Sequence, residues 1–169
     1  IAIPLAGLAA DFKFFEPLNP PRPFQVMVHR GEALQAPENT RPALQRCIED
    51  LFEWAEVDVR LTKDGQHVLC HDSNLDRISN GKGLVKDHTL EELLALDAGS
   101  GFAKRYAGTP LLSLKQCFEL ARGKLNLYLD CKDVHPGHLV EEIWESGLRR
   151  QAVVYADLEL VRKISAETA

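Results

Sequence analysis

Two histidines, an arginine, a lysine and four carboxylates recur in this chain where predicted strands end, in His29-Arg30-Gly31, Glu56-Val57-Asp58, His71-Asp72 and Asp130-Cys131-Lys132. Glu56 and Asp58, two residues apart on one strand face, can hold a divalent cation with Asp130 as a third oxygen ligand, a donor set that suits Ca2+ or Mg2+ better than zinc. Arg30 can grip phosphate oxygens bidentately and Lys132 can do so as a point charge. The ordinary alternative pairs Arg30 with Glu32 or Glu38, and Lys132 with Asp130 or Asp133, in salt bridges. His29 and His71 can divide proton removal from an attacking oxygen and proton donation to a leaving alcohol. The chemistry these types and spacings suggest is metal-assisted attack on a phosphodiester.

Such residues converge only if strands carry them to one face. Pro17, Pro20, Pro21 and Pro23 make residues 1–23 a stiff lead-in, which sets them apart from a domain over 24–169. Phe24 to Val28 is a short apolar run that predicts a buried strand ending at His29. Thr40 is placed to cap the next helix, Pro42 tolerates its missing amide there, and Leu44, Cys47, Ile48, Leu51 and Phe52 recur at helical spacing. In the second strand Ala55, Val57, Val59 and Leu61 alternate with Trp54, Glu56, Asp58 and Arg60, so an aliphatic row backs the two carboxylates. Lys63-Asp64-Gly65-Gln66 reads as a turn, and His67 to Cys70 as a third strand that delivers His71-Asp72.

Residues 73–109 interrupt this rhythm with glycines and a short helix near Leu90 to Leu96 that Thr89 can cap, so they read as a functional insertion. The rhythm resumes with Ser113 capping a helix, a strand Leu125 to Leu129 that ends in Asp130, a helix near His138 to Ser146, a strand Ala152 to Tyr155 and a last helix from Leu158. Alternating strands and helices imply an α/β fold with a parallel sheet. About five strands are in view, whereas a closed eight-stranded barrel takes roughly 250 residues. An open sheet or the first part of a TIM-type barrel is expected, with a missing C-terminal segment or an oligomer partner closing it.

The composition is that of an ordinary globular chain, with 169 residues of which 45% are hydrophobic and 27% charged. A net charge of −5 argues against a nucleic-acid partner. No run of eighteen apolar residues could form a transmembrane segment, although Phe12, Phe14 and Phe15 could touch a membrane surface. Ile1 to Ala10 is apolar and lacks a basic start, which suits a processed terminus or a fragment. Cys47, Cys70, Cys117 and Cys131 are too far apart for a zinc motif, so they read as buried thiols and lean towards a reducing, cytoplasmic setting. His67, His88, His135 and His138 lack a catalytic setting and read as surface or supporting residues.

The ordered set His29-Arg30-Gly31, Pro37-Glu38-Asn39-Thr40, Glu56-Val57-Asp58-Val59-Arg60-Leu61-Thr62-Lys63-Asp64-Gly65, His71-Asp72, Leu75-Asp76-Arg77, Asn80-Gly81-Lys82-Gly83 and Leu96-Asp97-Ala98-Gly99 resembles the glycerophosphodiester phosphodiesterase family over about residues 25–165. The resemblance implies a (β/α) TIM barrel and a divalent metal, and hydrolysis of a small glycerophosphodiester to glycerol 3-phosphate and an alcohol. His29 and His71 would match the acid/base pair, Glu56, Asp58 and Asp130 the metal carboxylates, and Arg30 and Lys132 the phosphate contacts. A glycerol hydroxyl would attack phosphorus to give a cyclic phosphate that water opens, and many relatives of this kind work outside the cytoplasm. Residues 73–109 would cover the glycerol or headgroup side, with Phe102 and Tyr106 either as apolar contacts there or packed in the core.

The chain departs from the family pattern in places. Asp130-Cys131-Lys132 stands where Glu-x-Lys is usual, which shortens the third metal ligand by one methylene, and the last barrel strands with a late aromatic motif are absent. An alternative from another class is a binding or interaction module that keeps the anion pocket without turnover.

Overall fold

Strand β2 (Trp54–Leu61) organises the sheet because its alternation gives it two uses at once. Ala55, Val57 and Val59 point into the helix layer and are fully buried, while Glu56 and Asp58 point the other way and are buried too. The computed structural model describes residues 24–168. Residues 1–23, read above as the proline-rich lead-in with its three phenylalanines, and Ala169 lie outside the described residues.

Strand β5 (Asn126–Cys131) runs parallel along one edge of β2, from Trp54 opposite Asn126 to Val59 opposite Cys131, and β6 (Ala152–Tyr155) runs parallel beyond it. The other edge of β2 is shared. Strand β1 (Met27–Val28) pairs in parallel with Trp54 and Ala55, and β3 (His67–Leu69) pairs antiparallel with Val59 to Leu61. Strand β4 (Leu112–Ser113) then pairs antiparallel with β3, so the sheet runs β4-β3-β2-β5-β6 with β1 beside β2.

Helices α1 (Arg41–Glu49), α3 (Leu114–Ala121), α4 (Pro136–Glu145) and α5 (Leu158–Glu167) belong to the strand-helix alternation, while α2 (Leu90–Leu94) lies in the excursion between β3 and β4. The architecture is therefore a TIM-type β/α arrangement of four parallel strands with an inserted antiparallel pair, and the barrel is not closed among the described residues. Among the described residues two hydrophobic cores hold it. The larger packs Leu44, Val57, Leu127, Leu129, Phe118 and Leu139 between sheet and helices, and the smaller packs Val68, Leu75, Val85, Leu93 and Leu111 under the excursion. No helix among the described residues is long and apolar enough to cross a membrane.

Several expectations change. The third strand is antiparallel to the second rather than part of a parallel sheet, because the turn through Gly65 (φ 75°) is far shorter than the dozen or so residues a parallel crossover needs. The run from Phe24 to Val28 yields only two strand residues, and Met27 is 51% exposed because β2 is its one strand partner among the described residues. Thr40 stands at the N-cap of α1 as expected, but its side chain makes no capping bond; its hydroxyl donates to the Pro37 carbonyl at 2.5 Å. Thr89 and Ser113 do cap their helices, each in a reciprocal box with Glu92 or Gln116. All four cysteines are free and buried.

Gly31 follows β1 at φ +69°, and a Cβ there would sit 2.9 Å from the Ala43 Cβ of α1. Both the backbone and the close approach require glycine. Gly31→Ala should lower the unfolding free energy by about 1–3 kcal/mol, read as a lower urea midpoint at unchanged slope.

Candidate active site

Between the stretch of β2 covered by β1 and the stretch covered by β3, the strand edge at Glu56 and Asp58 has no strand partner, and loop residues fill the gap. Arg30 and Gly31 adopt consecutive left-handed conformations (φ 56° and 69°). That turn aims the Arg30 amide at Glu56 Oε2 (2.7 Å) and the Gly31 amide at the Glu56 carbonyl (3.1 Å). Asn39, also left-handed at φ 57°, donates from Nδ2 to Asp58 Oδ2 (2.9 Å) and accepts from the Asp58 amide (3.1 Å). The Cys70 amide donates to the Asp58 carbonyl at 3.0 Å. Each backbone polar group of this buried edge thus has a partner although no strand lies against it.

Register places Asp58 opposite Asp130 on β5, and one oxygen each from Glu56, Asp58 and Asp130 gathers within 4.8 Å. Two cations lean on this cluster. Lys132 Nζ donates to Asp130 and lies 3.3 Å from Asp58 Oδ1; Arg30 Nε lies 3.4 Å from Asp58 Oδ2. The ordinary salt-bridge alternatives are also real in part, since Arg30 pairs with Glu38 at 3.0 Å and Lys132 with Asp130.

Neutralisation by these two residues is incomplete. Asp58 Oδ1 is buried without an aligned hydrogen bond, and Glu56 is pushed up to about 7 by burial first and the Asp58 charge second. The residues fit a divalent cation, because an all-oxygen donor set with a buried, unbonded carboxylate oxygen is what a hard cation satisfies. Asp130, despite its shorter side chain, reaches the cluster.

His29 projects beside Glu56, with Nε2 3.8 Å from Oε2, and its side chain is 70% exposed. His71 is not in direct contact with the carboxylates; it is joined to them by a chain of ion pairs. Its Nδ1 bonds Asp72 at 2.7 Å, Arg77 donates to both Asp72 and Glu38, and Glu38 holds Arg30. Arg77 holds the Asp72 carboxyl well below the usual range, and Glu38 is lowered chiefly by the same arginine. Arg60, on the same strand face as Glu56 and Asp58, clasps the His71 carbonyl with Nε (3.0 Å) and Nη2 (2.7 Å).

The antiparallel return of β3 is what brings His71 back to this level of β2. Asn39, Arg60, Asp72 and Arg77 are the parts sequence reasoning left without a role at the site. Arg60 had a signal, since it continues the alternation of Glu56 and Asp58. Phe102, 41% exposed, lines a cavity of about 400 Å3 with Pro37, Glu38, Arg77 and Asn80. Tyr106 packs edge-on against it and donates to the Gln35 carbonyl at 2.8 Å, so it ties the excursion to the β1–α1 loop. His67, read as a surface or supporting residue, is only 1% exposed.

The TIM-type β/α arrangement thus gathers a carboxylate cluster with an arginine and a lysine on it and two histidines nearby, Glu56 and Asp58 standing within β2 rather than at its end as the sequence suggests. Residues 29–162 match the glycerophosphoryl diester phosphodiesterase family, and the chain belongs to it. It is 46% identical over 99 residues to the glycerophosphodiester phosphodiesterase of Caldanaerobacter subterraneus subsp. tengcongensis, a match over 59% of this chain and 41% of that protein. It is 35% identical over 130 residues to a glycerophosphodiester phosphodiesterase of Bacillus subtilis, over 71% of this chain and 44% of that protein. The chain thus spans less than half the length of these curated relatives.

Among solved structures, the glycerophosphodiester phosphodiesterase of Agrobacterium tumefaciens superposes with a TM-score of 0.82 at 29% identity, covering 85% of this chain and 63% of that one. An Oleispira antarctica phosphodiesterase in complex with the product sn-glycerol-3-phosphate gives 0.72 at 29% identity, covering 85% and 62%.

Two outcomes follow from this geometry. Cation affinity should rise with pH through about 7, because Glu56 must shed its proton for the cluster to bind; calorimetry across that range should show the slope, and Glu56→Gln should weaken binding and flatten it. Asn39→Ala strands the Asp58 amide and one carboxylate oxygen, and should cost about 1–3 kcal/mol in chemical denaturation.

Proposed function

We propose that this chain carries the catalytic centre of a metal-dependent glycerophosphodiester phosphodiesterase, which hydrolyses a small glycerophosphodiester to glycerol 3-phosphate and an alcohol. The observation that carries this reading is the convergence of Arg30 and Lys132 on the Glu56, Asp58 and Asp130 cluster, with His29 beside it. Holding a dianionic transition state needs cations, and both candidates lie within 3.4 Å of Asp58. The three carboxylates would hold Ca2+ or Mg2+, which when bound draws charge from the phosphoryl oxygens and acidifies a nearby hydroxyl.

The rest is work for the chain's own groups. Arg30 and Lys132 orient the phosphate and take up charge as it builds. One of His29 and His71 accepts the proton of the attacking glycerol hydroxyl and the other gives a proton to the departing alcohol. The P–O bond to the alcohol breaks as the bond to the glycerol oxygen forms, and water then opens the resulting cyclic phosphate with the proton roles reversed. Asp72 fixes the His71 ring through Nδ1, which leaves Nε2 for that exchange. The cavity beside Glu38, Arg77 and Phe102 has room for the alcohol portion. A binding-only module is not favoured, since this chain carries both histidines, the carboxylates and the two cationic residues together.

Incubating the purified chain with glycerophosphocholine and Ca2+ or Mg2+ should release glycerol 3-phosphate, with a cyclic phosphate trapped at early times, and chelation should stop it. His71→Ala should slow release by about 10²- to 10⁴-fold. Folded protein that releases nothing with either ion would sink this reading of the chain.

A further inference from the structure

The carboxylate cluster uses one face of the sheet, and a second cluster sits on the other. Antiparallel pairing sets Leu61 opposite His67 and Val59 opposite Leu69, so His67 shares the aliphatic face that packs on the helices. There it meets α4, on which His138 and Glu142 stand four residues apart and therefore on one side of the helix. Donor atoms of His67, His138 and Glu142 gather within 4.8 Å of one another.

Hydrogen bonds decide which of these atoms still have a lone pair. His67 Nε2 accepts from the His135 backbone amide at 3.2 Å, so the ring proton is on Nδ1, where it is donated to Glu142 Oε2 at 2.5 Å. Both His67 nitrogens are thereby committed, and binding a metal through Nδ1 would force an N–H at Nε2 against the His135 N–H. His138 differs. Its Nδ1 lies 3.0 Å from the Gly65 carbonyl, which can only accept, so Nδ1 carries the proton and Nε2 keeps its lone pair.

An imidazole fixed by a backbone carbonyl and a carboxylate fixed by an imidazole N–H are the supports that orient metal ligands and raise their basicity. A cavity of about 390 Å3 opens onto both residues, and its lining also includes Glu119, Glu145, Lys115 and Arg122.

We propose that His138 Nε2 and the Glu142 carboxylate form a second divalent-cation site, selective for a borderline cation of the zinc type, with His67 orienting Glu142 and water from the cavity completing the coordination. Mixed nitrogen and oxygen donors suit zinc, whereas the all-oxygen cluster across the sheet suits Ca2+ or Mg2+. Because His138 also holds the Gly65 carbonyl of the β2–β3 turn, a bound cation would polarise that hydrogen bond and stiffen the hairpin that returns His71 to the active site.

The test is calorimetric titration of Zn2+ alone into the Glu56→Gln chain, in which the carboxylate cluster is weakened. One zinc equivalent should bind, the His138 Cε1–H signal should shift in NMR, and the thermal midpoint should rise. Adding His138→Gln or Glu142→Gln should each weaken zinc binding by at least about tenfold in protein that circular dichroism shows to be folded. Absence of zinc binding to the folded Glu56→Gln chain would overturn the proposal, as would zinc affinity that both added substitutions leave unchanged.

Discussion

Two buried carboxylates and a half-buried third crowd onto adjacent strands, and the surrounding structure is arranged around the electrostatic cost of keeping them there. Glu56 and Asp58 cannot both be ionised in a low-dielectric setting without opposite charge close by. Arg30 and Lys132 supply part of that charge, the Arg30 amide and the Asn39 side chain bind carboxylate oxygens, and what is left unbalanced appears as a proton retained on Glu56 up to about 7. A divalent cation would remove the remaining imbalance. The same residues that make the apo site uncomfortable therefore make it receptive.

A second network depends on the first. Glu38 bridges Arg30 and Arg77, Arg77 grips Asp72, and Asp72 sets the His71 ring, so the group that orients His71 is continuous with the group that lies on the carboxylates. The excursion between β3 and β4 supplies Arg77, and Tyr106 ties it back to the β1–α1 loop. Local displacements in either segment would reach both halves of the site.

Much of this was legible in the sequence, and the illegible parts share a cause. The alternation of Trp54 to Leu61 showed the carboxylate face, the Asp130 position followed from the next strand, and Thr89 and Ser113 marked their helix starts. Alternation alone does not give strand direction at His67; the short turn Lys63 to Gln66 does, since it leaves no room for a parallel crossover. Thr40 looked like a cap because residue type does not say where a hydroxyl will point. Asn39 and Arg77 could not be given roles because their partners, Asp58 and Asp72 with Glu38, are set by how loops fold against the sheet. No local period encodes such contacts. His67 was undervalued for the same reason, since its partners come from a helix far along the chain.

Arg30 bears two demands that no single amino acid meets comfortably. Its backbone at φ 56° lies where a side chain is disfavoured, and glycine is the residue that would sit there at ease. Yet glycine would withdraw the guanidinium that faces Asp58 and Glu38. The position is thus held at a compromise in which the backbone favours losing the side chain and the ion pairs with Asp58 and Glu38 favour keeping it.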